Sequence, residues 1–238
     1  MTAARAVLLL LLALYFPAPT SAETSGDMLM GAVVKSDKWK INRTDNTETF
    51  TGDVSFRNNN YNLKSDDAVY RRGPRIWDIS GSVYTLRKFD DGSTLEMRCA
   101  KARYFEINEL TTLKRGALPV RMRYKSADGI INGSTNSSTA DNKAGTMKFN
   151  GKFSLSTDNI SLYSAQGLYT RDSDSFLLTD TKPPTEGFPM SVGTREGYDF
   201  AIRAENVQFF KTSRDAVFYK KVSGWIKDIP IKNAKKNK

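Results

Sequence analysis

Two adjacent carboxylate pairs, Asp66-Asp67 and Asp90-Asp91, are the residues in this sequence best suited to acid–base chemistry. Two carboxyls flanking a glycosidic bond can divide the roles of acid and nucleophile, provided both face one substrate. Neighbours along a strand point to opposite faces, so these pairs make poor couples. The single thiol, Cys99, has no histidine anywhere in the chain to activate it. With one cysteine and no histidine, zinc fingers, zinc hydrolases, Ser-His-Asp triads and an internal disulfide are excluded. We therefore expect no enzyme, no cofactor and no metal. Cys99, on the inner parity of its strand, reads as a small buried hydrophobe.

The elements that carry these residues have an unusual period. In "YNLKSDDAVY", Tyr61, Leu63 and Ser65 alternate as one face of a strand, and Ala68 and Tyr70 resume on the opposite parity after Asp66-Asp67. The slip recurs in "LEMRCAKARY" from Leu95, "ISLYSAQGLY" from Ile160 and "FAIRAENVQF" from Phe200. "GIINGSTNSS" from Gly129 is a degraded copy whose only large apolar residue in the inner phase is Ile131. One extra residue in a period of two is a corner: two residues point outward, the strand bends, and the inner face continues round the bend.

A second marker, Gly-x-apolar, stands at Gly52, Gly81, Gly116, Gly151 and Gly224, with a poorer copy at Gly187, at steps of roughly 30 to 37 residues. Turn signals separate the copies, among them "RNNN" at 57–60, "RRGP" at 71–74, "DDGS" at 90–93 and "RDSDS" at 171–175. Beyond a turn near Asp27–Ala32, no helical stripe is visible after the leader. The expected fold is all-β: an antiparallel β-jellyroll of stacked, V-shaped strands, open at both ends. The expected inner face comprises Val54, Phe56, Leu63 and Tyr70; Val83, Met97 and Tyr104; Leu118, Met122 and Ile131; Phe153, Leu155, Leu162 and Tyr169; and Phe200, Ile202 and Phe209. From pattern alone, such a stripe is core.

The ends carry their own signals. Residues 1–22 have a basic start at Arg5, an apolar run to Phe16 and a small-x-small site at Thr20–Ala22, the layout of a cleavable secretory leader. The run is about eleven residues, short of the ~20 that span a bilayer. An N-terminal segment 23–35, one domain of about five units over 36–230 and a basic tail at 231–238 complete the expected organisation. A loop is expected at Pro183-Pro184. The net charge of +10 implies an anionic partner or a solvated basic surface. The leader and the lack of a stacking or phosphate motif argue against nucleic acid. Asn-x-Ser/Thr sequons such as Asn42-Arg43-Thr44 arise readily in this composition.

The stretch "SDKWKINRTDNTETFTGDVSFRNNNYNLKSDDAVYRR" (Ser36–Arg72) resembles the first unit of the OstA-like/LptA family: a Ser-Asp opening, a short hairpin, an "FTGxV" strand and the corner motif. The resemblance covers about Ser36 to Ile229 and is weakest from Arg121 to Asn150. It implies a periplasmic lipopolysaccharide-transport protein whose trough shields acyl chains and which bridges inner- and outer-membrane components. Under it, the inner face becomes a lipid site at Val54, Phe56, Leu63, Tyr70, Val83, Met97, Tyr104, Leu118, Phe153, Leu162, Tyr169, Ile202 and Phe209. Arg71, Arg72 and Arg75, whose forks suit phosphate, would meet the head group. The implied partners are lipopolysaccharide or another acylated glycolipid, and other β-jellyrolls, including further copies of the chain, joined edge strand to edge strand; membrane contact would run only through partners. Three features depart from the pattern: the extra fifth unit with Pro183-Pro184, the polar stretch 129–145, which is either a paired strand or a loop, and the leader, which argues against the anchored LptC type. The alternative is a scaffold or LptC-like partner of the same fold, with a filled core and no lipid.

Overall fold

The computed structural model describes residues 33–180, 189–195 and 197–228. The leader, the turn expected near 27–32, Pro183-Pro184, Gly187-Phe188 and the basic tail lie outside the described residues. Among those described, every regular element is a strand, and the strands run in chain order. They are β1 (Val33–Lys35), β2 (Lys38–Asn42), β3 (Thr47–Arg57), β4 (Tyr61–Arg71), β5 (Ile76–Lys88), β6 (Thr94–Phe105), β7 (Leu110–Lys114), β8 (Val120–Ser126) and β9 (Gly129–Thr135). Then follow β10 (Ser137–Asp141), β11 (Thr146–Ser156), β12 (Ile160–Thr170), β13 (Ser175–Thr179), β14 (Met190–Arg195), β15 (Tyr198–Arg203), β16 (Asn206–Phe210), β17 (Ala216–Tyr219) and β18 (Ser223–Asp228). The sheet starts at β1, three residues before the boundary expected at 36.

All pairings are antiparallel, and together they build two limbs. A front limb runs β2-β3-β4-β5-β6-β7-β10-β11-β12-β13-β16-β17. A back limb runs β1-β3-β4-β5-β6-β8-β9-β11-β12-β14-β15-β18. The long strands β3, β4, β5, β6, β11 and β12 belong to both limbs and bend between them. The architecture is an antiparallel β-jellyroll of stacked V-shaped strands.

The bend has a local cause. Thr51 faces Asp67 and Val54 faces Ser65, so Gly52-Asp53 lies against Asp66 alone. Likewise Gly81-Ser82 lies against Ala100 and Gly151-Lys152 against Ala165. Each pair takes positive φ, at 77° and 41°, 74° and 45°, and 77° and 49°. Glycine adopts this conformation without a Cβ penalty, and a two-against-one bulge bends the strand that holds it. The Gly-x-apolar marker and the phase slip are therefore the two sides of one corner.

Two markers do something else. At Gly116 the chain leaves the sheet between β7 and β8, and Gly224 lies inside β18. The polar stretch 129–145 is a paired strand broken at its own corner, as β9 and β10, with Asn136 N–H donating to the Gly151 carbonyl at 2.9 Å. Its inward Thr135 and Ser138 are buried, but their hydroxyls donate to the carbonyls of Asn150 and Lys148, both at 3.0 Å. Those bonds offset the cost of burying a polar group in an apolar interior.

The inner faces pack into two apolar clusters. The first spans Phe50 to Val120 and the second Met122 to Phe209, with Met147 against both. Ala216 and Phe218 of front strand β17 and Leu95 and Tyr124 of back strands β6 and β8 all pack against the second cluster, and Lys211, just after front strand β16, lies 4.6 Å from the Tyr124 ring of β8. The limbs are thus offset along the stack, which leaves part of each end single-layered.

Candidate functional site

The inner face is the candidate site, because it is one apolar surface running from edge to edge. The structure brings twelve of its thirteen expected residues to it. Val54, Phe56, Leu63, Val83, Tyr104, Phe153, Leu162 and Phe209 are buried, while Tyr70, Met97, Tyr169 and Ile202 are half-buried. Leu118 is a correction. It sits on the β7–β8 bend, 64% exposed, and Val120 takes the inner position instead at 2%. The apparent beat at Gly116 fails because no bulge forms there.

Aromatic rings dominate the lining. Tyr70 stacks on Trp77 at 4.5 Å, and Phe56 meets Trp77 edge-on at 5.0 Å. In the second cluster Phe149 stacks on Phe153 at 4.4 Å, and Tyr169 tilts against Phe176 at 4.9 Å. Burial raises the pKa of the Tyr70 phenol, helped by the Glu106 carboxylate, and burial likewise raises that of Tyr169. Both rings stay neutral and suit an apolar wall. Cys99 lies among them, and burial pushes its thiol up to about 11.

Carboxylates that sequence reasoning passed over organise the lip of the front limb. Glu106, with its side chain only 7% exposed, accepts from Trp77 Nε1 at 2.7 Å, Arg75 Nε at 2.8 Å and the Tyr70 hydroxyl at 3.3 Å. Glu48 accepts from Arg72 Nε at 2.8 Å and Trp39 Nε1 at 2.9 Å. Arg71 pairs with Asp78, which also accepts from Arg103 Nε. Arg71, Arg72 and Arg75 thus stand together on the β4–β5 turn, each already holding a carboxylate. The signal for Glu106 was faint: a charged residue on a turn, separated by about thirty residues from its partners.

A second clasp crosses the lip. Lys211 follows β16 on the front limb, and its ammonium lies 2.7 Å from Asp174 and 4.6 Å from the centre of the Tyr124 ring on back strand β8. Burial works against ionising both charged partners. Their mutual hydrogen bond outweighs it only together with the Thr212 and Tyr169 hydroxyls that donate to Asp174 and the attraction between the opposite charges. The sum holds Asp174 below the ordinary carboxylate range and Lys211 above the ordinary amine range.

Both ends of the inner face are exposed. Trp39 and Ile41 of front edge strand β2 stand opposite Phe50 and Glu48, at 58% and 53% exposure. At the other end Ile226 of back edge strand β18 stands opposite Phe200, at 71%. No group of acidic or sulfur side chains among the described residues could hold a metal.

The family model for LptA/(LptD N-terminal domain) LPS transport proteins matches residues 33–194, from β1 into β14. The chain belongs to this family. Among solved structures, the chain is similar to LptH, described as the LptA homologous periplasmic component of the lipopolysaccharide transport device from Pseudomonas aeruginosa. The identity is 8% over 58% of this chain and 74% of that one, with a TM-score of 0.23. No curated protein matches. Membership rests on the family model, which covers all the long bent strands and their three Gly-x corners.

Proposed function

We propose that this protein is a periplasmic carrier of lipopolysaccharide that shields acyl chains between its two limbs and joins its neighbours edge strand to edge strand. The observation that carries the reading is the apolar inner face that does not close at its ends. An ordinary sandwich core is capped, whereas here Trp39, Ile41 and Ile226 continue the lining into solvent. Exposed apolar surface contiguous with an interior marks a ligand or partner site. With the lip closed, the deep residues touch only protein. Acyl chains therefore enter by parting the limbs, meeting half-buried Tyr70, Met97, Tyr169 and Ile202 first. The lip arginines serve a phosphorylated head group by exchanging a carboxylate for a phosphate.

One observation favours a second reading, a scaffold with a filled core. Phe56, Phe153, Leu162 and Phe209 are already covered to 1% exposure or less. Site-specific photocrosslinking in a Gram-negative periplasm separates the two. A probe at Met97, Tyr169 or Ile202 yields lipopolysaccharide adducts if the face is a conduit, and a probe at outward Thr112 or Lys148 does not. A folded, partner-bound protein with no lipid adduct at any inward position establishes the scaffold.

A further inference from the structure

The outer face of the back limb carries a charge that the inner conduit does not use. The register places Lys64, Tyr84, Arg98 and Arg121 side by side on β4, β5, β6 and β8. The next outward positions of β8 are Arg123 and Lys125, and Lys88 stands beyond Thr94 on β5. All six cations are exposed, and Glu96 is the only carboxylate among them. None of the six is in an ion pair among the described residues, whereas Arg71, Arg72, Arg75 and Arg103 on the front limb each hold a carboxylate. The patch measures roughly 14 Å in each direction at ordinary strand and residue spacing.

Arg98 directly faces Arg121. Like charges directly opposite on a sheet destabilise it, so folding does not account for this pair. Arg98 instead lies 5.0 Å over the Tyr84 ring, which holds its guanidinium outward. The patch ends at the corner, where Asp53 and Asp66 are exposed. It is a sheet face with cations spread over it and no exposed apolar centre. The centre of a protein–protein interface is depleted in charge and rich in aromatic side chains, which this face is not.

We infer that the outer face of the back limb docks directly on a bilayer surface through anionic phospholipid head groups, in addition to the contact through partners that the family resemblance implies. An anionic leaflet attracts each nearby Lys or Arg by an amount equivalent to about fivefold in affinity, and salt screens the attraction. This contact is independent of the lipid conduit, since it uses the opposite face of the sheet.

The test is sedimentation of the full chain with vesicles of phosphatidylglycerol in phosphatidylcholine, at low and high salt. Wild type binds at low salt and is released at high salt, and pure phosphatidylcholine does not bind it. The triple variant Arg98→Ser, Arg121→Ser, Arg123→Ser loses roughly a hundredfold in affinity while its thermal midpoint holds or rises. A triple variant of equal charge on the front limb, Lys101→Ser, Lys114→Ser, Lys148→Ser, keeps most of its binding. Equal loss in both variants, no loss in the first, or equal binding to neutral vesicles overturns the proposal. Retention on immobilised polyglutamate without vesicle binding also overturns it, and gives the face to an acidic protein. The inner-face crosslinks are unaffected by any of these outcomes.

Discussion

Glu106 concentrates three donors on one nearly buried carboxylate, and two of them sit on rings of the inner face. Replacing it with alanine leaves the Trp77 indole N–H with no acceptor in an apolar setting. A buried donor left unsatisfied costs about 1–3 kcal/mol, so urea unfolding of Glu106→Ala should show a loss of that size. The Lys211–Asp174 clasp predicts a pH profile. Asp174 is held below its usual pKa of 3.8, so its contribution is present above that value and is lost as pH falls through the lower folded value. Lys211 is held above its usual 10.5, so its contribution is present below that value and is lost as pH rises through the higher folded value. Lys211→Met should therefore narrow the stability gap to wild type at both pH extremes and show its full effect between them. Cys99 gives an independent check of closure. With its thiol pushed up to about 11, thiolate is scarce at pH 8, and alkylation of native protein should be at least roughly tenfold slower than in urea. Equal rates would mean that the limbs open freely.

The corner elements were the part of the fold most legible in the sequence. Ser65 and Ala68 flank the slip and are both buried, with Asp66 exposed between them, as a bend demands. The other side of the corner was visible only as a beat, because left-handed backbone at Asp53, Ser82 and Lys152 leaves no mark on residue type. Gly116 and Leu118 mimic the marker, and nothing local distinguishes them. The ion pairs of Arg72 and Arg75 were hidden for a different reason: their partners Glu48 and Glu106 lie on or just beyond the neighbouring strands β3 and β6, and the register that brings them alongside exists only once those strands pair. Gly81 tests the corner directly. It has φ of 74°, and a Cβ there would run into the Asp66 side chain. Gly92 has φ of 79° with open space around it. Left-handed backbone alone costs about 1–2 kcal/mol for a residue with a Cβ, so Gly92→Ala should lose about that much. Gly81→Ala should lose more, and Asp66→Gly should restore the difference. Equal losses would show that the Asp66 contact is slack and that φ alone defines the corner.

At the scale of the molecule, the offset of the limbs makes the two ends complementary. The start of the stack leaves front strand β2 without a back-limb partner over Trp39 and Ile41. The end leaves back strand β18 without a front-limb partner over Ile226. Placed end to end, β2 of one copy would lie across from β18 of the next, closing the apolar face that each leaves open. Such a contact is heterologous: it uses a different patch on each side and leaves a free end after every addition. Unpaired edges supply the backbone hydrogen bonds for the joint. Sedimentation velocity should therefore show a size distribution that grows with concentration rather than stopping at a dimer. The two ends can also be disabled separately. Trp39→Asp blocks the start and Ile226→Asp blocks the end, and each alone should be monomeric at concentrations where wild type polymerises, since neither can supply both halves of a joint. Mixed in equal amounts, they retain one good end each, and the mixture should form a discrete one-to-one dimer. A closed, isologous contact predicts the reverse. There, the variant altered in the shared patch would be monomeric, the other would still dimerise alone, and mixing would add nothing.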